Sequence, residues 1–225
     1  MRRRVLLSWS SGKDSAWALH ALRQQPDVEV IGLLSTINEQ FDRVAMHAVR
    51  TTLLRQQAES VGLSLRLVEL PFPCSNETYE ERMRMLIAAA RADGIEAIAF
   101  GDLFLADVRR YRERMMEGTG ITPLFPLWGR LTVELAREMI TGGLRAQITC
   151  IDPRRLPRAL AGRVYDRDFL EALPDGVDPC GEYGEFHSFA FDGPMFKHPV
   201  KFTIGETVAR DGFVFTDLLP VIDEL

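Results

Sequence analysis

The run Ser10-Ser11-Gly12-Lys13-Asp14-Ser15 brings hydroxyls, a glycine, an amine and a carboxylate together, a set suited to holding phosphate. Gly12 lets main chain come close to a ligand, and the serines and Lys13 add donors pointing the same way. If a helix starts here, its free amides and the positive end of its dipole converge on that point. The glycine spacing is neither that of a GxGxxG dinucleotide loop nor that of a GxxxxGK[ST] phosphate loop. The plainer alternative is a Ser/Gly-rich turn that only caps a helix. Farther along, Asp178, Glu182 and Glu185 crowd three carboxylates into one stretch bearing Pro and Gly. Carboxylates so close must be solvated, protonated or neutralised by a cation. Between the two stretches, Arg109, Arg110, Arg112 and Arg114 alternate with Asp107, Glu113 and Glu117. Such density is most often a solvated, ion-paired face, yet Arg109 and Arg112 share a side of a helix and could clamp an acidic group.

These residues can act together only if a regular frame places them, and the hydrophobic pattern predicts one. Residues 4–9 read as a buried strand and 14–22 as a helix, then 28–36 and 44–61 repeat the pair, the second helix ending at Gly62. A third strand at 65–70, a third helix at 78–93 with a capping pair Thr78/Glu81, and a fourth strand at 96–100 continue the alternation. Strands alternating with helices predict an α/β fold, a doubly wound parallel sheet covered on both faces. Beyond Asp102 the spacing predicts helices at 107–117 and 132–140 and a strand at 146–151, then short strands at 186–191, 200–204 and 213–215 among dense Pro and Gly. This is a second, smaller mixed α+β lobe, and the division is expected at residues 1–130 and 131–225.

In an open parallel sheet, ligands sit beyond the carboxyl ends of the strands, so the loop after the first strand stands where a ligand is expected. Asp14 and Asp102 both follow such strand ends. Asp14 could instead be an acid of a helix first turn, stabilised by the dipole, and Asp102 an ordinary turn residue.

Composition narrows the class. The chain has 225 residues, 46% hydrophobic and 26% charged, which excludes disorder. Its 32 acids against 27 Lys and Arg give a net charge of −5, so no global basic field draws it to nucleic acid or an anionic membrane. No secretory signal and no run of roughly 18 apolar residues is present, so no membrane association is expected. Cys74, Cys150 and Cys180 lie far apart and read as reduced thiols of a cytoplasmic protein.

The first loop fits SxGxDS and resembles the pyrophosphate-binding loop (PP-loop) of N-type ATP pyrophosphatases, which cleave ATP between its alpha and beta phosphates. The family's usual form is SGGKDS, and Ser11 stands where its first glycine normally sits. Three further segments are similar to one branch, the diphthine-ammonia ligase family of adenine nucleotide alpha hydrolase-like proteins. They are the stretch Phe100-Gly101-Asp102 through Glu113, the Pro-Leu-Trp segment ending at Trp128, and Asp178-Pro-Cys-Gly-Glu182-Tyr-Gly-Glu185-Phe-His, a DPCGE-x-GEF motif with Tyr183 and Ser188 in place of the usual Asn and Thr.

The resemblance implies an ATP-dependent, amide-forming ligase. It adenylates a substrate carboxylate, releases pyrophosphate, and lets ammonia displace AMP; the named acceptor of the family is diphthine on elongation factor two. Charge builds on phosphoryl oxygens in that chemistry, so fixed donors and Mg²⁺ are expected rather than a protein nucleophile. Ser10, Ser11, Gly12, Lys13, Asp14 and Ser15 would hold ATP with Gly101 and Asp102, the two aspartates also holding the metal. Leu34, Ser35 and Thr36, read as a loop after the second strand, would meet adenine. Lys13, Asp14 and Arg109 are expected in catalysis, Arg109 being nearer Asp102 than Arg112 is, and Glu182 and Glu185 would position and deprotonate ammonia. His47 could reach the nucleotide or simply pack. Cys180 reads first as a small packed residue and otherwise as a thiol carrier.

Two rivals remain at this stage. Enzymes of tRNA thiolation also use SxGxDS, but they want a basic surface and commonly paired cysteines. A regulatory module would bind the adenine nucleotide without turnover. A homo-oligomer suits a small two-lobe enzyme, though no residue pattern demands one.

Overall fold

A computed structural model describes residues 1–44 and 49–221. His47 therefore lies outside the described residues. Strand β1 (Arg3–Ser8) leads through the Ser/Gly loop into helix α1 (Lys13–Arg23). There follow β2 (Val28–Asn38), β3 (Arg43–Val44), α2 (Thr51–Val61), β4 (Ser64–Leu70), α3 (Asn76–Ala92), β5 (Ala97–Ala99), α4 (Ala106–Met116) and β6 (Thr122–Leu124). β1 pairs in parallel with β2 on one side and β5 on the other, β2 with β4, and β5 with β6. Val5 and Leu7 of β1 pack with Trp17, Leu19 and Leu53 of α1 and α2, whereas Leu6 packs with Ile87, Ala90 and Met116 of α3 and α4. Both faces are thus covered, which is why β1 reads as unbroken apolar residues rather than an alternation. Pro123 is tolerated because β6, among the described residues, pairs with β5 alone and lies at the sheet edge.

Three local expectations change. The second helix starts at Thr51, because β2 runs on to Asn38 and draws residues 43–44 into antiparallel pairing with it. Leu34, Ser35 and Thr36 are consequently inside a strand, in register with Arg66, Leu67 and Val68 of β4, and the loop expected there is absent. The third helix is capped by Ser75, whose Oγ accepts from the amide of Thr78 at 3.2 Å, which places Thr78 inside the helix.

The remaining chain forms α5 (Thr132–Thr141), β7 (Arg145–Ile151), α6 (Arg167–Glu171), β8 (Phe186–Asp192), β9 (Phe202–Arg210) and β10 (Phe213–Pro220). These strands make a separate antiparallel sheet in the order β8-β7-β10-β9. β9 and β10 are longer than their apolar runs because most of β9 is exposed and carries Thr and Glu between its apolar residues. The second sheet is not a detachable unit. Phe189 and Ala190 of β8 share one buried cluster with β1 and α1. The amide of Ala190 donates to the carbonyl of Ser11 at 2.9 Å, and Gln57 of α2 donates to the same carbonyl at 3.0 Å and to that of Ala190 at 2.5 Å. At the far end Asp217 of β10 binds Arg43 and Arg50 with N–O distances of 2.8 and 2.6 Å. No helix among the described residues is long and apolar enough to cross a membrane.

Two consequences can be measured. Burial alone would raise the Asp217 carboxyl, but Arg43 and Arg50 hold it at about 2, below the usual 3.8. A depressed carboxyl stabilises above its unfolded value and loses that contribution as pH falls through its folded one. Asp217→Asn is therefore expected to cost about 1–2 kcal/mol at pH 7, a deficit that shrinks between roughly pH 4 and 2 in denaturant titrations. Ser11 stands at φ 69°, a left-handed conformation that disfavours a Cβ, and its buried Oγ lacks a hydrogen-bond partner. Ser11→Gly relieves both at the cost of a more flexible unfolded chain, so the urea midpoint is expected to rise by an amount equivalent to about 1 kcal/mol, with the slope unchanged.

Candidate active site

Strand order reverses between β1 and β5, since the chain leaves β1 for β2 and β4 and later returns to β5 on the opposite side. A crevice opens at the carboxyl ends of strands at such a point. Here it is a cleft of about 250 Å³, floored by the loop after β1 and by Gly101-Asp102 after β5, and closed by the segment from Cys180 to Ser188. Gly101 permits the approach of these two loops. A Cβ on it would lie 3.0 Å from the main chain of Asp14, tighter than nine in ten contacts that real side chains make.

Of the expected residues, Ser10, Lys13, Asp14, Ser15, Gly101, Asp102 and Glu182 line this cleft. Ser10 and Ser15 hydroxyls stand 3.2 Å apart, and the amide of Gly12 points to Ser10 Oγ at 3.4 Å. Ser11 is fully buried behind the loop, its carbonyl taken by Ala190 and Gln57. Lys13 is 2% exposed, its ammonium bound to both oxygens of Asp14 at 3.0 and 2.8 Å and in short contact with the carbonyl of Cys180. Burial opposes the Lys13 charge, but Asp14 beside it more than restores it and its pKa is raised; Asp14 is raised too, burial outweighing Lys13.

Leu34, Ser35, Thr36, Arg109 and Glu185 are not in the lining. The guanidinium of Arg109 stacks on Phe125 at 4.8 Å and Trp128 at 4.7 Å and bonds Glu113 at 2.8 Å. That aromatic seat gives the Pro-Leu-Trp segment its purpose: it sets the rotation of α4. Arg112, not Arg109, then faces the cleft, stacked on Phe100 at 4.8 Å and 3.6 Å from Asp102 Oδ2. The signal for this was in the sequence, because Leu105, Val108 and Arg112, all in the lining, fall on one stripe of a helix.

The acidic loop separates its carboxylates by environment. Glu182 accepts from the amides of Leu103 at 2.8 Å and Phe104 at 3.4 Å, yet burial dominates and pushes its carboxyl up to about 7. Asp178 Oδ2 accepts from the amide of Glu182 at 2.9 Å and fixes the turn. Glu185, 1% exposed, lies under the loop and accepts from the amide of Asp178 at 3.2 Å and from Arg155 at 3.3 Å. It braces the loop from outside the cleft lining, apart from Glu182, with which the sequence paired it. Cys180 is 1% exposed, and burial lifts its thiol to about 12, which leaves no thiolate at neutral pH for a carrier role.

The donor set also bears on a metal. Asp102 Oδ2 is buried without a hydrogen-bond partner, since Arg112 Nε at 3.6 Å is too far to donate, and burial raises its pKa despite that arginine. Asp14, at 27% side-chain exposure, lines the same cleft. No cluster of three metal-ligating side chains occurs among the described residues. Two carboxylates with an open face fit Mg²⁺, which keeps its waters and binds through one or two carboxylates plus substrate phosphates, rather than an ion needing a full protein cage.

Comparison with known proteins places the sequence in a family. A family model described as "Diphthamide synthase N-terminal domain" matches residues 1–123, and one described as "Diphthamide synthase C-terminal domain" matches residues 132–215. A "Diphthine--ammonia ligase" of Homo sapiens is 29% identical over 160 residues, covering 68% of this chain and 60% of the relative. Its counterpart in Danio rerio is 26% identical over 191 residues, covering 81% and 73%, and that of Schizosaccharomyces pombe 26% over 118 residues, covering 51% and 20%. The chain spans 60% of the length of the human, rat and mouse relatives it matches. With the N-terminal match alone taking in more than half of the sequence and the C-terminal match most of the remainder, the chain belongs to the diphthamide synthase family.

Proposed function

We propose that this protein is an ATP-dependent ligase that adenylates a carboxylate and amidates it with ammonia, the acceptor being diphthine on elongation factor two. The observation that carries the reading is the pairing of a phosphate loop at a topological switch point with Glu182, whose carboxyl is held near neutrality across the same cleft. The names of the relatives supply the amide chemistry and the acceptor.

In this reading the amides at the start of α1 with Ser10 and Ser15 receive the phosphates, and Arg112 faces the charge that develops on them. Asp14 and Asp102 would hold Mg²⁺, which when bound neutralises charge on the phosphoryl oxygens. An acceptor carboxylate oxygen attacks the alpha phosphorus, the bond to the bridging oxygen breaks, and pyrophosphate leaves with the electron pair. Ammonia then attacks the acyl carbon, AMP departs with the bonding pair, and Glu182 takes the proton from nitrogen. A base with pKa about 7 is half ionised at neutral pH and suits that transfer. The buried thiols, Cys150 and Cys180 both pushed up to about 12, weigh against sulfur transfer.

Purified protein with ATP, Mg²⁺, ammonium and diphthine-bearing elongation factor two is expected to yield AMP rather than ADP, together with a modified histidine peptide carrying an amide in place of its carboxylate. With free ammonia held constant, amide formation should rise as pH passes through about 7. Glu182→Gln should lower it roughly 10²–10⁴-fold and remove that inflection. A raised carboxyl pKa costs stability as pH climbs through it, so the variant should also be more stable than the parent at pH 8 by about 1–2 kcal/mol. Tight ATP binding without any AMP would reduce the protein to a nucleotide-binding module.

A further inference from the structure

A lysine in a phosphate loop is expected to point at phosphate, and Lys13 does not. An ammonium has three hydrogens to donate. Those of Lys13 meet Asp14 Oδ1, Asp14 Oδ2 and the carbonyl of Cys180, which fills its capacity. Its Nζ lies 5.5 Å from the ring centre of Tyr165 and 5.3 Å from that of Phe186, contacts that hold a cation in place. Its own amide donates to Ser188 Oγ at 3.2 Å. Tyr165 in turn donates its hydroxyl to the carbonyl of Pro179 at 2.8 Å, so the loop is gripped at two successive carbonyls. Reaching a phosphate would strip a partner from Asp14 and from the carbonyl of Cys180.

We propose that Lys13 is a positioning residue and not a phosphate ligand: its ammonium bolts the loop that carries Glu182 to the loop that carries Asp14, setting the span between nucleotide and acceptor chemistry. The inference rests on the reading of the cleft as an ATP site. It assigns nucleotide affinity to the main-chain amides, the serine hydroxyls and Arg112, and leaves Lys13 to govern turnover.

The chain has only three lysines, Lys13, Lys197 and Lys201, and the last two are exposed, so selective ¹⁵N-lysine labelling gives a spectrum in which a slowly exchanging ammonium belongs to Lys13. On titration with Mg²⁺ and an ATP analogue carrying a methylene between the alpha and beta phosphates, calorimetry should register binding while the Lys13 ammonium keeps its protection from exchange, its position moving only as the neighbouring Asp14 takes Mg²⁺. A Lys13 signal that loses its protection in step with binding overturns the proposal. In Lys13→Met the analogue should bind within about threefold of the parent affinity while AMP formation falls about a hundredfold or more, a separation that a merely structural role would not produce. A folded Lys13→Met that binds tenfold or more weaker contradicts the proposal, and if that variant does not fold the wild-type spectrum decides. Failure of the wild-type protein to bind the analogue overturns the ATP reading and this inference with it, a result distinct from binding through a displaced Lys13, which overturns this inference alone.

Discussion

The buried ammonium of Lys13 is the constraint around which the rest is arranged. A charge at 2% exposure persists only if it is fully paired, and its partners come from both lobes: Asp14 from the parallel-sheet side, Cys180 and the rings of Tyr165 and Phe186 from the other. The two sheets therefore cannot separate without stripping the ammonium of the Cys180 carbonyl and the two rings and opening the cleft. The same junction is doubled on the main chain, where the carbonyl of Ser11 takes hydrogen bonds from Ala190 and Gln57. Gly101 completes it by letting the strand-β5 loop lie against the peptide of Asp14. Three loops from distant parts of the sequence are thereby held within contact distance of one another.

That closeness gives similar side chains different chemistry. Glu182 and Glu185 are three positions apart, yet one lines the cleft and the other is sealed beneath the loop against Arg155. Asp102 is burdened by burial and only partly relieved by Arg112, which leaves an oxygen without a partner beside the loop that follows β1. Environment, not residue type, decides which carboxylate is suited to a proton, which to a cation and which to structural bracing.

Much of the frame was legible because parallel strands covered on both faces must be apolar throughout and must alternate with helices, as the run Val5-Leu6-Leu7 and the following α1 illustrate. The place of the loop at residues 10–15 beside a cleft was legible because it directly follows a strand of the parallel sheet. What could not be read was rotation and depth. Leu105, Val108 and Arg112 form one stripe, but Arg109 lies beside it, so spacing narrows the choice and the seat formed by Phe125 and Trp128 completes it by holding Arg109 away from the cleft. Glu185 has the same polarity as Glu182, and its burial depends on Arg155, which is thirty positions away in the chain. Residues 34–36 were misplaced because β2 continues past the end of β1, supported by β4, a pairing that no local pattern announces. Ser11 shows the converse: its departure from glycine marked in advance the one loop position at positive φ.

In the proposed reaction the acceptor carboxylate attacks the alpha phosphate of ATP. Its most direct test is to supply the acceptor with ¹⁸O in that carboxylate and weigh the AMP produced. Transfer of one ¹⁸O into AMP, with unlabelled pyrophosphate, is the predicted result. AMP that takes its oxygen only from water, or ¹⁸O found in inorganic phosphate beside ADP, would contradict it.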